Sequence, residues 1–433
     1  MKNIECEKTN DNTNRLIFFG IILFRVTLDY VYSTHISSIY GYDGFRSDFD
    51  LRRIVLSWGI LILFIPMIID LHKRLRFSNF IIIILAYFSF IPFTTMVAYY
   101  PFRISYICIN TLYWAVMLGF NRYIPMITIP RLKHDKLADG VLYGFVLLFC
   151  ATIIYISWRY TRFRITFDLL NVYDLRSEIK NVNLPATIDY IYAASKALNP
   201  VLLVYFLSRK KYKAASAIFI IQILSFSING LKTVLFSTAI AVVFYLFYND
   251  KYISKIPWFL FILTALSSLE IYVKDTFLLV AFIIRRVFFV PNLLGYNYFD
   301  FFSKNSPDYF RQSFLRHLGF SSPYPSINRM IGDIYYNKPN MAANNGLISD
   351  AYANLGTLGI FVMPLMLILF LKFLDACAEG IDKRIYVISS VTMAFILISS
   401  FLFPALLTHG FLVVCFIMYL LRRESRSSVQ NTE

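Results

Sequence analysis

The chain has 433 residues, of which 58% are hydrophobic and 16% are charged. Several stretches of eighteen or more residues carry almost no charge, which is typical of membrane-spanning helices and excludes a soluble globular protein. The formal net charge is +16. Because the basic residues cluster at the ends of apolar runs, where they set orientation, nucleic acid is not an expected partner.

The apolar pattern predicts twelve spans in a single membrane domain, residues 1–433, without a detectable internal repeat. No cleavable leader is expected, because the residues before Leu16 are rich in Asn and charge. In chain order, the predicted spans are 16–33, 54–71, 80–98, 104–120, 140–158, 188–207, 214–229, 231–249, 257–274, 347–371, 385–403 and 405–421.

The short basic connectors predict the orientation of these spans. With the N-terminus in the cytoplasm, the clusters at 73–76, 209–213, 383–384 and 422–426 all fall on the inner side. Both termini are therefore predicted to be cytoplasmic. Longer outer segments are predicted at 34–53, 159–187 and 275–346.

The largest outer segment, 275–346, begins with TFLLVAFIIRRVFFV. This stretch follows the preceding span too closely to be an ordinary crossing, so we interpret it as a helix lying at or dipping into the outer interface. The prolines that follow predict a loop with short helices.

This outer segment is basic, which opposes the usual bias toward basic inner loops. One interpretation is that the arginines lie along lipid with their head groups among phosphates. The other is anion binding, because the planar guanidinium suits bidentate contact with phosphate oxygens and the interleaved tyrosines suit sugar rings. The second interpretation predicts a phosphorylated, sugar-bearing lipid. The basic residues are Arg285, Arg286, Lys304, Arg311, Arg316, Arg329 and Lys338.

Two shorter outer segments leave their alternatives open. Arg176 in VYDLR either contacts the same ligand or pairs with a neighbouring carboxylate on a solvated helix. In YGYDGFRSDFD, the carboxylates of Asp43, Asp48 and Asp50 either form a metal-binding or general-base loop or pair with nearby arginines.

The tenth span begins with NNGLISDAYANLGTLGIF. Gly356 and Gly359 are predicted to share one helical face and to permit close packing. Asp350, a carboxylate in the first turns of a span, predicts a functional site, with an arginine of the outer loop as its expected partner. His317 is a second candidate general base, although a lone histidine is also compatible with an ordinary hydrogen-bonding role.

Two charged pairs inside spans are predicted to be structural. Arg25 with Asp29, and Glu270 with Lys274, are each four residues apart on a helix and so able to neutralise each other.

The segments RRVFFVPNLLGYNYFDFFS, INRMIGDIYYNKP and ANNGLISDAYANLGTLGIF, in this order, resemble the Wzy-type polysaccharide polymerases, which join oligosaccharide repeat units. The resemblance covers 285–361 most clearly, and more loosely VYDLR at 172–176 and NGLKT at 229–233. It implies an all-α polytopic membrane protein of about twelve transmembrane helices, a GT-C-like bundle, with a large outer loop containing short helices.

The resemblance also implies an activity and a location. The expected reaction transfers a growing glycan from undecaprenyl pyrophosphate to a fresh lipid-linked repeat, on the periplasmic face of the bacterial inner membrane and without a metal or cofactor. The expected partners are the undecaprenyl-pyrophosphate-linked oligosaccharide and membrane lipid, with a chain-length regulator and a flippase as candidate protein partners. The arginines that match the substrate-gripping positions of the family are Arg176, Arg285 and Arg286.

No motif assigns the general base, so His317, Asp333 and Asp350 all remain candidates for catalysis. The candidate substrate-binding residues for pyrophosphate and glycan are Arg176, Arg285, Arg286, Arg311, Lys232, Asn345 and Tyr352.

Three other functions remain open. An O-antigen ligase uses the same donor chemistry but transfers finished polymer to a lipid A core. A lipid-linked oligosaccharide flippase requires charges that line a pathway through the bundle, whereas here they concentrate on one side. A glycosyltransferase with Asp48 or Asp50 as base is the third.

Overall fold

The structure is a computed structural model that describes residues 2–130, 135–164, 185–229 and 232–423. These residues are mainly helical and contain no β-strand. We number the longer helices in chain order: α1 (Asp11–Ile39), α2 (Leu51–Lys73), α3 (Phe77–Tyr99), α4 (Ile104–Tyr123), α5 (Lys136–Thr161), α6 (Ala186–Ser208), α7 (Tyr212–Asn229), α8 (Lys232–Phe247), α9 (Ile256–Lys274), α10 (Val290–Phe302), α11 (Ile327–Tyr336), α12 (Ile348–Ala378), α13 (Lys383–Ser399), α14 (Leu402–Leu407) and α15 (Phe411–Leu420).

The described part of the chain is all-α and has the long apolar helices of a membrane protein, as the sequence predicts. Seven of the described helices are long and apolar enough to cross a membrane, namely α1 to α5, α9 and α12. An eighth is obtained if α6, bent by 48° between its two halves, counts as one span.

The predicted total of twelve spans is not confirmed. The remaining predicted spans coincide with helices that are shorter or interrupted. Helices α7, α8 and α13 have 18, 16 and 17 residues. The last predicted span, 405–421, is divided between α14 and α15.

Helix α3 lies at the centre of its part of the bundle. Its sequence from Phe77 to Tyr99 contains no charged residue, and 94% of its most apolar 18-residue stretch is buried inside the protein. In α9 only 28% of the most apolar 18-residue stretch is buried. We therefore expect the apolar surface of α9 to face lipid.

Helices α1 and α9 run side by side in the same direction. Trp258 Nε1 donates a hydrogen bond to Leu16 O at 2.8 Å near the start of both helices, and the hydroxyls of Tyr30 and Tyr272 lie 2.5 Å apart near their ends. This parallel arrangement agrees with the predicted topology, in which both helices cross from the inner to the outer side.

The first three helices are joined by the buried guanidinium of Arg25. Arg25 pairs with Asp29 one turn later, as predicted, and lies over the ring of Trp58 at 5.0 Å. Its Nη2 donates to Ser57 Oγ at 3.0 Å, and its Nε to Thr94 Oγ1 at 3.0 Å. A charge that α1 carries into the interior is thereby paired and hydrogen-bonded.

The second predicted pair has a different main role. Glu270, near the end of α9, accepts hydrogen bonds from Thr276 Oγ1 at 2.9 Å and from the backbone N–H groups of Leu278 and Leu279. The carboxylate therefore satisfies backbone donors at the start of the next helical segment.

The described residues group into two compact units. The first contains Met1–Pro125, Asn249–Phe370 and Ala394–Leu402, and the second contains Met126–Tyr248, Leu371–Met393 and Phe403–Glu433. The second unit has an apolar core of α5, α6 and α7 that includes Ile153, Tyr192 and Ile221. The site described below lies in the first unit.

Candidate anion-binding site

The two adjacent arginines lie on a π-helix, Val280–Phe289. Its apolar side chains Val280, Ile284 and Phe288 recur every four residues and are all buried. Phe288 packs against Phe24 of α1 and Phe88 of α3, with ring centroids 5.7 and 5.2 Å apart. The apolar face of the segment thus enters the bundle, and the neighbouring face carries the arginines.

Arg285 is only 15% exposed and has a carboxylate and an aromatic ring as partners. Its Nη1 forms an ion pair with Asp43 Oδ2, and its guanidinium carbon lies 4.2 Å from the ring centre of Tyr40. Both partners follow α1 and are therefore distant in sequence, with Asp43 and Arg285 separated by 242 residues. The contact closes the π-helix against the end of the first helix.

Asp43 is positioned by a short 3₁₀ turn, Gly41–Asp43, that ends at Gly44. Gly44 has φ +93°, a left-handed conformation that favours glycine. The other carboxylate oxygen, Oδ1, lies 4.0 Å from Lys338 Nζ. We call Arg285, Arg286, Lys338, Asp43 and Tyr40 the Arg285 cluster.

Two buried hydrogen-bond donors in this cluster lack an acceptor. Arg285 Nε and the hydroxyl of Tyr40 are both inaccessible to solvent, and neither has a hydrogen-bond partner among the described residues. An unpaired buried donor normally costs about 1–3 kcal/mol, and more for a charged group. Both atoms are therefore candidates to donate to a water molecule or a ligand.

Arg286 is exposed beside this site. It lies over the ring of Phe282 at 5.6 Å, one turn earlier on the same π-helix. The structure thus places a partly buried and an exposed guanidinium side by side, with Lys338 reaching the same carboxylate as Arg285.

A second charged group, the Asp300 cluster, lies on α10. Asp300 Oδ1 contacts Arg103 Nη2 at 2.6 Å and Lys304 Nζ at 3.3 Å, and Oδ2 accepts a hydrogen bond from Tyr335 at 2.7 Å. Partial burial alone raises the pKa of Asp300, but the hydrogen bonds from Tyr335 and Lys304 and the charge of Arg103 outweigh it and lower the pKa. Burial and the bonded carboxylate together raise the pKa of Tyr335.

The loop after α10 is organised around the buried carboxylate of Asp308. Its Oδ2 accepts from Gln312 N at 2.8 Å, and its Oδ1 accepts from Ser322 Oγ. Arg311, predicted to bind substrate, donates through Nε to Asp308 O at 2.6 Å and through Nη2 to Pro307 O at 3.2 Å. In the structure these donors of Arg311 stabilise the loop itself.

Asp350 lies buried in the first turn of α12, and its partner differs from the predicted arginine. Oδ1 accepts from Asn354 Nδ2 at 2.7 Å, and Oδ2 accepts from the backbone N–H of Leu402 at 2.6 Å. Leu402 is the first residue of α14, so Asp350 satisfies an N-terminal donor of that helix across 52 residues of sequence. The prediction of an arginine partner was wrong, because the backbone of a second helix supplies the donor.

The glycines of α12 also differ from the prediction. Gly356 has φ 57° and ψ −137°, which breaks the helix, so Gly356 and Gly359 do not share one continuous helical face. A methyl group on Gly359 would overlap the carbonyl of Ala351. The glycines allow a tight break in the helix. The backbone N–H groups of Asp308 and Tyr309 donate to the carbonyls of residues 353 and 354, which lie just before this break.

Asn345 and Tyr352 are buried near Asp350. Asn345 Nδ2 donates to Pro291 O and to Ser349 Oγ, both at 2.8 Å, and Tyr352 packs on Phe299 with ring centroids 5.0 Å apart. Asn345 and Tyr352 thus connect the start of α12 to residues of α10. Their predicted contact with substrate is not tested by these packing contacts.

The other predicted residues are dispersed. Asp333 is exposed on α11. His317 lies on the 3₁₀ turn Phe314–Leu318 and Lys232 begins α8, but their side chains are outside the described part of the structure. Arg176 falls in 165–184, also outside the described residues.

Sequence reasoning found the arginines of the cluster but not their partners. Asp43 was recognised only as a member of an acidic first loop, in which Asp50 caps α2 by accepting from Arg52 N. Tyr40 and Lys338 carry no local signal, because they join the site only through tertiary contacts. Comparison with protein-family models, curated proteins and solved structures finds no match to the chain.

Proposed function

We propose that the protein is a membrane glycosyltransferase that takes a glycan from a polyprenyl diphosphate and adds it to another lipid-linked oligosaccharide, as the resemblance to repeat-unit polymerases implies. The observation that supports this proposal is the pair of unsatisfied donors, Arg285 Nε and the Tyr40 hydroxyl, in a cluster that also contains Arg286 and Lys338. Both donors suit an oxyanion.

The charge of the cluster favours a diphosphate. Arg285, Arg286 and Lys338 supply three positive charges and Asp43 supplies one negative charge, which leaves an excess of two. A diphosphate diester carries one negative charge on each phosphorus. The guanidinium fork of Arg285 suits two oxygens of one phosphate group, and the more exposed Arg286 and Lys338 suit the second phosphate group.

The same contacts suit glycosyl transfer. As the bond between the sugar and the diphosphate breaks, negative charge grows on the departing oxygen, and fixed guanidinium groups stabilise that charge without reorganisation. Binding of both lipid-linked substrates beside the bundle would also orient the acceptor hydroxyl toward the sugar.

Aromatic side chains around the cluster are suited to the glycan. Tyr42 is 78% exposed and lies beside Tyr40 with ring centroids 6.0 Å apart. Tyr335 and Tyr336 are partly exposed on α11, and Tyr336 accepts a hydrogen bond from Asn297 Nδ2 at 3.2 Å. Rings with a hydroxyl tip pack against sugar faces and bond to their hydroxyls.

The decisive experiment is reconstitution with a defined substrate. Purified protein in lipid nanodiscs is incubated with a polyprenyl-diphosphate-linked repeat unit, with and without chelator, and the products are separated by size. A lipid A core acceptor in a parallel reaction distinguishes polymerisation from ligation. A ladder of lengthening products is the expected result.

Substitutions in the cluster connect this reaction to the site. We expect Arg285→Ala to reduce transfer by about 10- to 100-fold, because it removes a charge-assisted contact. Arg285→Lys retains the charge but not the fork, and should remain impaired. Arg52→Ala, which removes an exposed arginine in the first turn of α2, is the matched control. A normal ladder from Arg285→Ala would refute the assignment.

A further inference from the structure

The carboxylate of Asp43 occupies a particular position on the guanidinium of Arg285. It binds the Nη1 end, whereas the Nε on the side edge has no partner among the described residues. A guanidinium can bind one oxyanion at its end and another along its side edge. Arg285 can therefore hold Asp43 and a phosphate at the same time once the side chains that cover Nε move aside.

One oxygen of Asp43 keeps its capacity to accept a proton. Oδ2 is engaged by Arg285, but Oδ1 lies 4.0 Å from Lys338 Nζ, beyond hydrogen-bond distance. The carboxylate is 19% exposed, so it is both held in place and reachable. These are the geometric requirements for a general base.

Three other carboxylates of this unit, all bonded on both oxygens or fully buried, are less suited to this role. Both oxygens of Asp350 accept hydrogen bonds in the interior. Both oxygens of Asp300 are occupied by the basic residues and the tyrosine around it. Asp308 is fully buried and organises its own loop.

We propose that Asp43 is the general base of the transfer, held by Arg285 across the guanidinium from the donor diphosphate. The acceptor hydroxyl oxygen forms a bond to the anomeric carbon of the donor glycan, and its proton passes to Asp43 Oδ1. The bond between that carbon and the phosphate oxygen breaks, and the electron pair leaves with the polyprenyl diphosphate. This inference rests on the proposed function.

The test separates binding from chemistry. Asp43→Asn in nanodiscs is compared with the unsubstituted protein for binding of the lipid-linked repeat, followed by fluorescence of a labelled glycan, and for the initial rate of elongation. We expect the rate to fall by about 100- to 10,000-fold, the usual contribution of a general base, while binding is retained. Asp70→Asn, at the opposite end of the membrane from Asp43 in the predicted topology, is the carboxylate control.

Two further variants distinguish a base from a structural partner of Arg285. Asp43→Glu should recover part of the rate. Asp43→Ala should be inactive but regain activity when formate is added, because formate supplies the missing carboxylate. A purely structural role would give variants that lose binding and melting temperature and that formate does not rescue.

The possible failures are distinguishable. Elongation by Asp43→Asn at the normal rate, or loss of binding without formate rescue of Asp43→Ala, would overturn this inference while leaving the proposed function intact. Absence of elongation or ligation by the unsubstituted protein would overturn the proposed function and, with it, the role of Asp43.

Discussion

Replacement of Arg25 by Met tests the buried pair that joins α1, α2 and α3. The substitution retains most of the side-chain volume but leaves Asp29 as an unpaired carboxylate that is only 9% exposed, and removes the donor to Thr94 O at 2.9 Å. The hydroxyls of Ser57 and Thr94 keep their own bonds to backbone carbonyls. Breaking one side of a buried pair costs about 3–5 kcal/mol.

This cost can be measured as thermal stability in detergent. With roughly 2–4 °C for each kcal/mol in a domain of this size, Arg25→Met should melt about 6–20 °C lower. The double variant Arg25→Met, Asp29→Leu removes the orphaned carboxylate and should recover a large part of the loss. An unchanged melting temperature for Arg25→Met, or a double variant less stable than the single, would refute this account of the pair.

Three further changes test other parts of the first unit. Gly346→Ala places a methyl group against the carbonyls of Leu397 and Ser400 and should destabilise the protein by at least about 1–3 kcal/mol. The control is Gly59→Ala, in which the added methyl group meets open space, so this variant should melt like the unsubstituted protein. Asp350→Leu leaves the N–H of Leu402 unsatisfied and should lower the melting temperature by an amount equivalent to about 1–3 kcal/mol. Because folding lowers the pKa of Asp300, the stabilisation by its carboxylate is present at neutral pH and is lost as the pH falls through the folded pKa. Asp300→Asn should therefore melt below the unsubstituted protein at pH 7, by an amount equivalent to about 0.2–1 kcal/mol, and the difference should shrink as the pH is lowered from about 7 toward 3. A difference that stays constant with pH would contradict this role of Asp300.

The sequence predicted those features of the fold that depend on local composition. A run without charge, such as Phe77–Tyr99, has to be helical and shielded from water in a membrane, because its backbone donors are satisfied internally. The pair of Arg25 and Asp29 was predictable for the same reason, since residues four apart on a helix are neighbours.

Features that depend on tertiary contacts were not predictable. The partner of Asp350 is a backbone N–H of another helix, which has no residue-type signature in the sequence. The break at Gly356 was missed because two glycines three residues apart suggest close packing as readily as a change of direction. The pairing of Asp43 with Arg285 spans 242 residues, and several arginines were equally eligible.

The kind of unsatisfied group distinguishes a ligand site from ordinary internal hydration. Asn110 Oδ1 is also buried without a partner, but it is neutral and lines a small cavity between α4 and the start of α12 with room for about one water molecule, which would satisfy it. Arg285 Nε belongs to a permanent cation whose single carboxylate partner is shared with Lys338. Water satisfies a neutral acceptor at little cost, whereas a buried guanidinium donor without an acceptor is more costly. We therefore propose the Arg285 cluster, rather than the polar interior around Asp350, as the place where a charged substrate binds.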